Sequence, residues 1–101
     1  MSILNVVKVG ASKRVPQSRI WIEGWRLIGA GFAHGTRYNI TWHDTGATLT
    51  PDPAGARKVA GTPDRPIIDI TGERVRAMGQ DRVLVTYYTG NAKKIEIERP
   101  E

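Results

Sequence analysis

The order strand, glycine, short helix, glycine, hairpin occurs twice in 101 residues, and this repetition restricts the fold more than any other feature of the chain. Ile68-Asp69-Ile70 matches Ile20-Trp21-Ile22, and Gly72 matches Gly24. Arg74 matches Arg26, Val75 matches Leu27 and Gly79 matches Gly31, all at an offset of 48. Beyond a three-residue deletion the register resumes at 45, so that Val83, Val85 and Tyr87 stand for Tyr38, Ile40 and Trp42. Glycines at both helix boundaries have a backbone reason to recur, because only glycine enters positive φ without a steric cost.

Each unit reads the same way locally. Arg19-Ile20-Trp21-Ile22-Glu23 is a short strand with its isoleucines on one face, ended by Gly24. Trp25 to Ala30 has room for little more than one and a half helical turns, and Gly31 suits a left-handed cap. Tyr38, Ile40 and Trp42 then alternate with Asn39, Thr41 and His43, Asp44-Thr45-Gly46 turns the chain, and Ala47 to Thr50 returns as a hairpin. In the second unit Thr89-Gly90-Asn91 is the turn and Lys94-Ile95-Glu96-Ile97-Glu98 the return strand. Four of the six prolines fall in the stretch 51–66, where no period of two or 3.6 is sustained. Repeat one therefore covers about 1–51, a linker about 52–65 and repeat two about 66–101, all within a single domain. One unit is too small to bury its own apolar face. Two units packed together remove the open sheet edges, which predicts a mainly β fold closing as one small barrel. A single chain with an internal pseudo-twofold then does what a one-unit protein does as a dimer, and a monomer is expected.

The run Ile20-x-Ile22-x-Gly24-Trp25-x-Leu27-x-x-Ala30-Gly31-Phe32-x-x-Gly35 resembles the signature of SymE-like toxins. The resemblance covers about residues 4–51, and the second half keeps the outline with Met78-Gly79-Gln80 in place of Ala-Gly-Phe. It implies the swapped-hairpin barrel of the AbrB and MazE proteins, with one short helix per repeat. It also implies contact with nucleic acid, since AbrB-type barrels bind DNA and SymE-like proteins are described as RNA-cleaving or nucleoid-binding. It carries no catalytic residue onto this chain.

Charge points the same way. Fifteen Lys plus Arg against ten Asp plus Glu give +5, and ten of the cations are arginine, the better residue for bidentate phosphate contacts. Residues 1–50 carry six cations and two acids (6 − 2 = +4), whereas 51–101 carry nine and eight (9 − 8 = +1). Lys8, Lys13, Arg14 and Arg19 lie in twelve residues with no acid between them, a plausible phosphate-contacting arm to which Arg26 and Arg37 add. Trp21 and Tyr88 point away from the Ile and Val faces and are the expected exposed aromatics for base stacking.

Chemistry has fewer candidates. With no cysteine there is no disulfide, thiolate nucleophile or zinc ribbon. His34 and His43 are the only imidazoles, His43-Asp44 falls at a turn, and the acids are scattered rather than grouped for a metal. No catalytic residue, metal or cofactor is expected. No apolar run reaches the ~20 residues of a membrane span, and the N-terminal stretch reads as a strand rather than a signal peptide, giving a cytoplasmic expectation. The sequence thus reads as a small nucleic-acid-binding protein, with double-stranded DNA favoured and RNA possible. The alternatives are a SymE-like RNA-degrading toxin and a small phage counter-defence inhibitor acting on a protein partner.

Overall fold

A computed structural model describes residues 2–10, 18–78 and 82–100, the first strand through its backbone pairing up to residue 8. Strand β1 (Ser2–Gly10) is followed by β2 (Arg19–Glu23), the helix α1 (Trp25–Gly29) and the hairpin β3 (Arg37–Trp42) and β4 (Gly46–Pro51). Two short strands, β5 (Arg57–Lys58) and β6 (Ala60–Gly61), lead into β7 (Pro66–Thr71), α2 (Glu73–Ala77) and the hairpin β8 (Arg82–Tyr88) and β9 (Lys94–Glu98). The fold is mainly β, with two antiparallel sheets and two short helices. The larger sheet runs β5-β3-β4-β9-β8-β1 and the smaller β1-β2-β7-β6. The ladders alone do not close them into a barrel.

The pairing between the units has its own symmetry. In β2 against β7, Trp21 lies opposite Asp69, and 69 − 21 = 48. Trp42 pairs with Ala47 but Tyr87 with Ile95, so the second hairpin's loop is three residues longer and the offset returns from 45 to 48. In β4 against β9, Thr48 lies opposite its equivalent Glu96. Equivalent residues therefore face each other at two places, which defines a pseudo-twofold axis through both pairs. Backbone bonds obey it: Gly24 N–H donates to the Pro66 carbonyl (3.1 Å), and Gly72 N–H to the Ser18 carbonyl (3.2 Å). Side chains obey it too, with His43 Nε2 and Thr48 Oγ1 2.8 Å apart on one side. On the other side the Tyr88 hydroxyl donates to Glu96 Oε2 at 3.2 Å.

The stretch expected to be a linker is more than that. Its central five residues supply an edge strand to each sheet, with Val59 between them buried. Arg37 pairs with Lys58 in the larger sheet, and Ala60 with Ile67 in the smaller. β1 does the same for the other unit, pairing Ser2 to Lys8 with β8 and Val9 to Gly10 with β2. Lys58-Val59 thus occupies the place of Lys8-Val9, at an offset of 50. A period too short to register in the sequence is fixed by partners on both sides.

The inward residues meet between the sheets. Ile20, Ile22, Ile68 and Ile70 come from the smaller sheet, Leu49, Val83, Val85, Ile95 and Ile97 from the larger. Leu27 and Val75 anchor the helices at equivalent positions, and Phe32 meets Tyr38 edge-on with centroids 5.7 Å apart. Tyr38 is buried, with Ile40 and Trp42 of the same strand face packed against the core. Gly46 lets β4 lie close to β9, since an added Cβ would run into the Ile97 carbonyl. Gly31 has the expected left-handed conformation (φ +89°), while its counterpart Gly79 lies outside the described residues.

Gly24 (φ 105°, ψ −166°) and Gly72 (φ 115°, ψ −170°) precede the two helices in one conformation that is essentially reserved for glycine. At neither would an added Cβ meet an atom within 4 Å, so the cost of alanine is purely a backbone cost. Gly24→Ala and Gly72→Ala are each expected to destabilise the chain by ~1–3 kcal/mol, and by similar amounts. Urea unfolding of the two variants side by side measures both the size and the equality.

Candidate nucleic-acid interface

Where the chain passes from the larger sheet to the smaller, a lysine is the register partner of an arginine on both sides. Lys8 pairs with Arg82 where β1 leaves the larger sheet, and Lys58 pairs with Arg37 where β5 leaves it. Arg37 and Arg82 are equivalent residues of β3 and β8, at an offset of 45. The pseudo-twofold axis therefore repeats one arrangement, a Lys–Arg cross-strand pair, at both seams between the sheets. Like charges directly opposite on a ladder are destabilising, an electrostatic cost that the exposed Arg37 and Lys58 incur. Arg37, Lys58 and Arg82 are exposed, and among the described residues none is within ion-pair distance of a carboxylate. Arg37 Nη1 donates to the Gly55 carbonyl at 3.2 Å, which orients the guanidinium without neutralising it.

Other residues expected at the interface are differently placed. Arg19 sits against Asp69 in a two-pronged contact, Nε to Oδ1 at 2.9 Å and Nη2 to Oδ2 at 2.7 Å. That hydrogen bond and the carboxylate charge hold the guanidinium above its ordinary pKa. The same guanidinium lies 5.0 Å from the Trp21 ring centre, and Trp21 remains 40% exposed. Asp69 is fifty residues from Arg19 in the chain and becomes its neighbour only through the β2–β7 ladder. Arg26 belongs to α1 rather than to either seam, with its guanidinium 4.8 Å from the Trp25 ring centre. Lys13 and Arg14 lie outside the described residues.

Tyr88 is half-buried in a cross-strand group rather than an open stacking platform. Its hydroxyl donates to Glu96, and Lys94 Nζ lies 4.8 Å from its ring centre and 3.2 Å from Glu96 Oε1. The most exposed aromatic is Trp25, at 64%, which sequence reasoning did not single out. Its only signal was its position at the outward start of a helix too short to bury both sides.

His34 and His43 are both exposed, and His43 is engaged with Thr48 across the hairpin. Among the described residues no three His, Asp or Glu side chains converge as a metal-holding group. Among the same residues no helix is long and apolar enough to cross a membrane. Comparison with protein-family models, with curated proteins and with solved structures found no match.

The Tyr88 phenol is pushed above its ordinary pKa, first by the negative charge of Glu96 and then by loss of hydration. Glu96→Gln removes the first cause, so the Tyr88 pKa is expected to fall toward that of a free phenol. Spectrophotometric titration of wild type and variant checks this; an unchanged titration would separate the two side chains in solution.

Proposed function

We propose that this chain is a small nucleic-acid-binding protein, with double-stranded DNA its favoured ligand. The observation that carries the reading is the pair of symmetry-related Lys–Arg positions, Lys8 with Arg82 and Lys58 with Arg37. An isolated exposed cation serves solubility, but two like charges opposite one another oppose folding. Phosphate oxygens offset that repulsion, and each arginine can accept a phosphate in a two-pronged geometry. A charge-based interface of this kind fixes register and orientation on a duplex without reading bases.

The geometry suits a monomer with internal symmetry. The β1 strand joins the two sheets on one side and residues 57–61 reach both on the other, which supports closure as a swapped-hairpin barrel of the AbrB type. The SymE-like signature of the first unit supports a nucleic-acid ligand as well. It carries no catalytic residue for RNA cleavage onto this chain; His43 lines a small pocket with Glu96 and Glu98, where its Nε2 is engaged with Thr48 Oγ1.

Two variants test the reading. Arg37→Ala/Lys58→Ala and Lys8→Ala/Arg82→Ala are expected to weaken binding to duplex DNA by similar factors on every sequence. Each should make the slope of log K against log salt shallower by ~1.8, at about 0.9 for every phosphate no longer neutralised. Unchanged slopes with unchanged folds would remove the seams from the interface. Incubation with labelled RNA, with and without magnesium, is expected to leave the RNA intact. Cleavage that disappears in His34→Ala/His43→Ala would replace this reading with that of a toxin.

A further inference from the structure

The pseudo-twofold axis relates α1 to α2, and the outward faces of the two helices differ in kind. At an offset of 48, Trp25 corresponds to Glu73 and Ile28 to Arg76. In α2 these positions hold a solvated pair, Arg76 Nη2 3.5 Å from Glu73 Oε2 at i,i+3 spacing. In α1 they hold Trp25, 64% exposed, and Ile28, 46% exposed, also neighbours at i,i+3. The inward anchors Leu27 and Val75 are equally buried, so the two helices sit on the fold in the same way. α2 therefore shows what this place on the fold looks like when water covers it. α1 is built for something else.

We propose that the outward face of α1, formed by Trp25, Ile28 and the Arg26 guanidinium, docks an acidic protein segment that carries apolar side chains. The apolar part follows from Trp25 and Ile28, since tryptophan beside an aliphatic residue is a typical anchor of a protein interface. The acidic part follows from the charges around them. The Arg26 guanidinium lies over the Trp25 ring with its Nε buried and unpartnered, and no ion pair neutralises its charge among the described residues. Lys93 packs against Gly31 just beyond the end of the helix. α1 has no acid in its first turn.

That complementarity distinguishes the occupants. A second copy of this chain would bring Arg26 and Lys93 against themselves on a surface already at +5 overall. A lipid surface would gain only two partly exposed side chains, less apolar area than a single myristoyl chain, which itself binds membranes marginally. DNA would use the cations but leave Ile28 without a partner. An acidic segment with leucine-like side chains uses all three groups.

The test uses the full chain and an acidic amphipathic peptide two heptads long, with leucine on one face and glutamate on the other. A second peptide has lysine in place of glutamate. The acidic peptide is expected to bind at least ~10-fold more tightly than the lysine peptide, a difference of about 1.4 kcal/mol. Trp25→Glu/Ile28→Arg installs the residues that α2 carries at the same places, and it is expected to weaken the acidic peptide about tenfold or more. Arg26→Glu, which leaves the apolar pair intact, is expected to reverse the preference between the peptides. Absent or equal binding of the two peptides would overturn the proposal. So would a wild-type dimer, seen by light scattering, that Trp25→Glu/Ile28→Arg dissolves, or capture by anionic vesicles that the same variant abolishes. A tenfold loss of duplex-DNA affinity in that variant would assign the face to nucleic acid instead. Because neither residue belongs to the seams, duplex binding reports on the nucleic-acid reading separately.

Discussion

Everything in this fold depends on strand pairing between the two units. Neither unit completes a sheet from its own residues. β2 takes β7 as its neighbour, β4 takes β9, and β1 spends seven of its nine residues on β8. A free hairpin with one helical turn is marginal in water because most of its backbone and half its apolar surface remain exposed. Crossing the units removes both deficits at once, since each ladder that buries a backbone edge also brings the isoleucine and valine faces together. The consequence is that the repeat is not a row of modules. Its halves share their sheets, and its symmetry is set by hydrogen-bond register rather than by similarity of side chains.

Register explains why the symmetry survives so much divergence. Trp21 opposite Asp69 and Thr48 opposite Glu96 have nothing in common chemically, yet both are pairs of equivalent positions. A slip of one residue in either ladder would turn every inward isoleucine outward. The buried positions are therefore held apolar, while the outward ones are free to differ. Where the outward positions have stayed alike, as in Lys8 with Arg82 and Lys58 with Arg37, the likeness is not required by packing. Where they have become unlike, as in the outward faces of α1 and α2, the difference is not required by packing either. Both are places to look for a ligand.

Much of this was legible in the sequence. The strand and hairpin boundaries followed from alternation, and the two helix-starting glycines followed from their recurrence at a fixed offset. The first strand of the second unit was not legible, because Lys58-Val59-Ala60-Gly61 is too short to show a period and is surrounded by proline. Its one signal was the likeness to Lys8-Val9-Gly10-Ala11 at an offset of 50. The fate of Arg19 was not legible for a different reason. Counting charges along the chain placed it in a run without acids, whereas the ladder sets Asp69 beside it. Local charge counts fail wherever a long-range strand pairing brings an opposite charge across. The same blindness concealed the seams, since Arg37 and Lys58 are 21 residues apart in sequence and Lys8 and Arg82 are 74 apart.

The distribution of charge then follows the symmetry of the fold. At the two poles of the pseudo-twofold axis, charge is locally compensated: Arg19 by Asp69 at one, Lys94 by Glu96 at the other. At the seams, halfway between the poles, the register sets cation opposite cation. At physiological salt the screening length is about 8 Å, so the compensated poles add little to the field felt by an approaching polyanion. The seams set it together with the other cations that no ion pair neutralises among the described residues, Arg26 and Lys93 included. For the proposed polyanionic ligand, two equivalent cationic sites on one chain would raise affinity beyond either alone, because the second contact forms within an already bound complex. Two separate half-proteins would have to associate before offering the same pair of sites. If duplex DNA is the ligand, as proposed, joining the units in one chain would remove that concentration dependence and present both seams together.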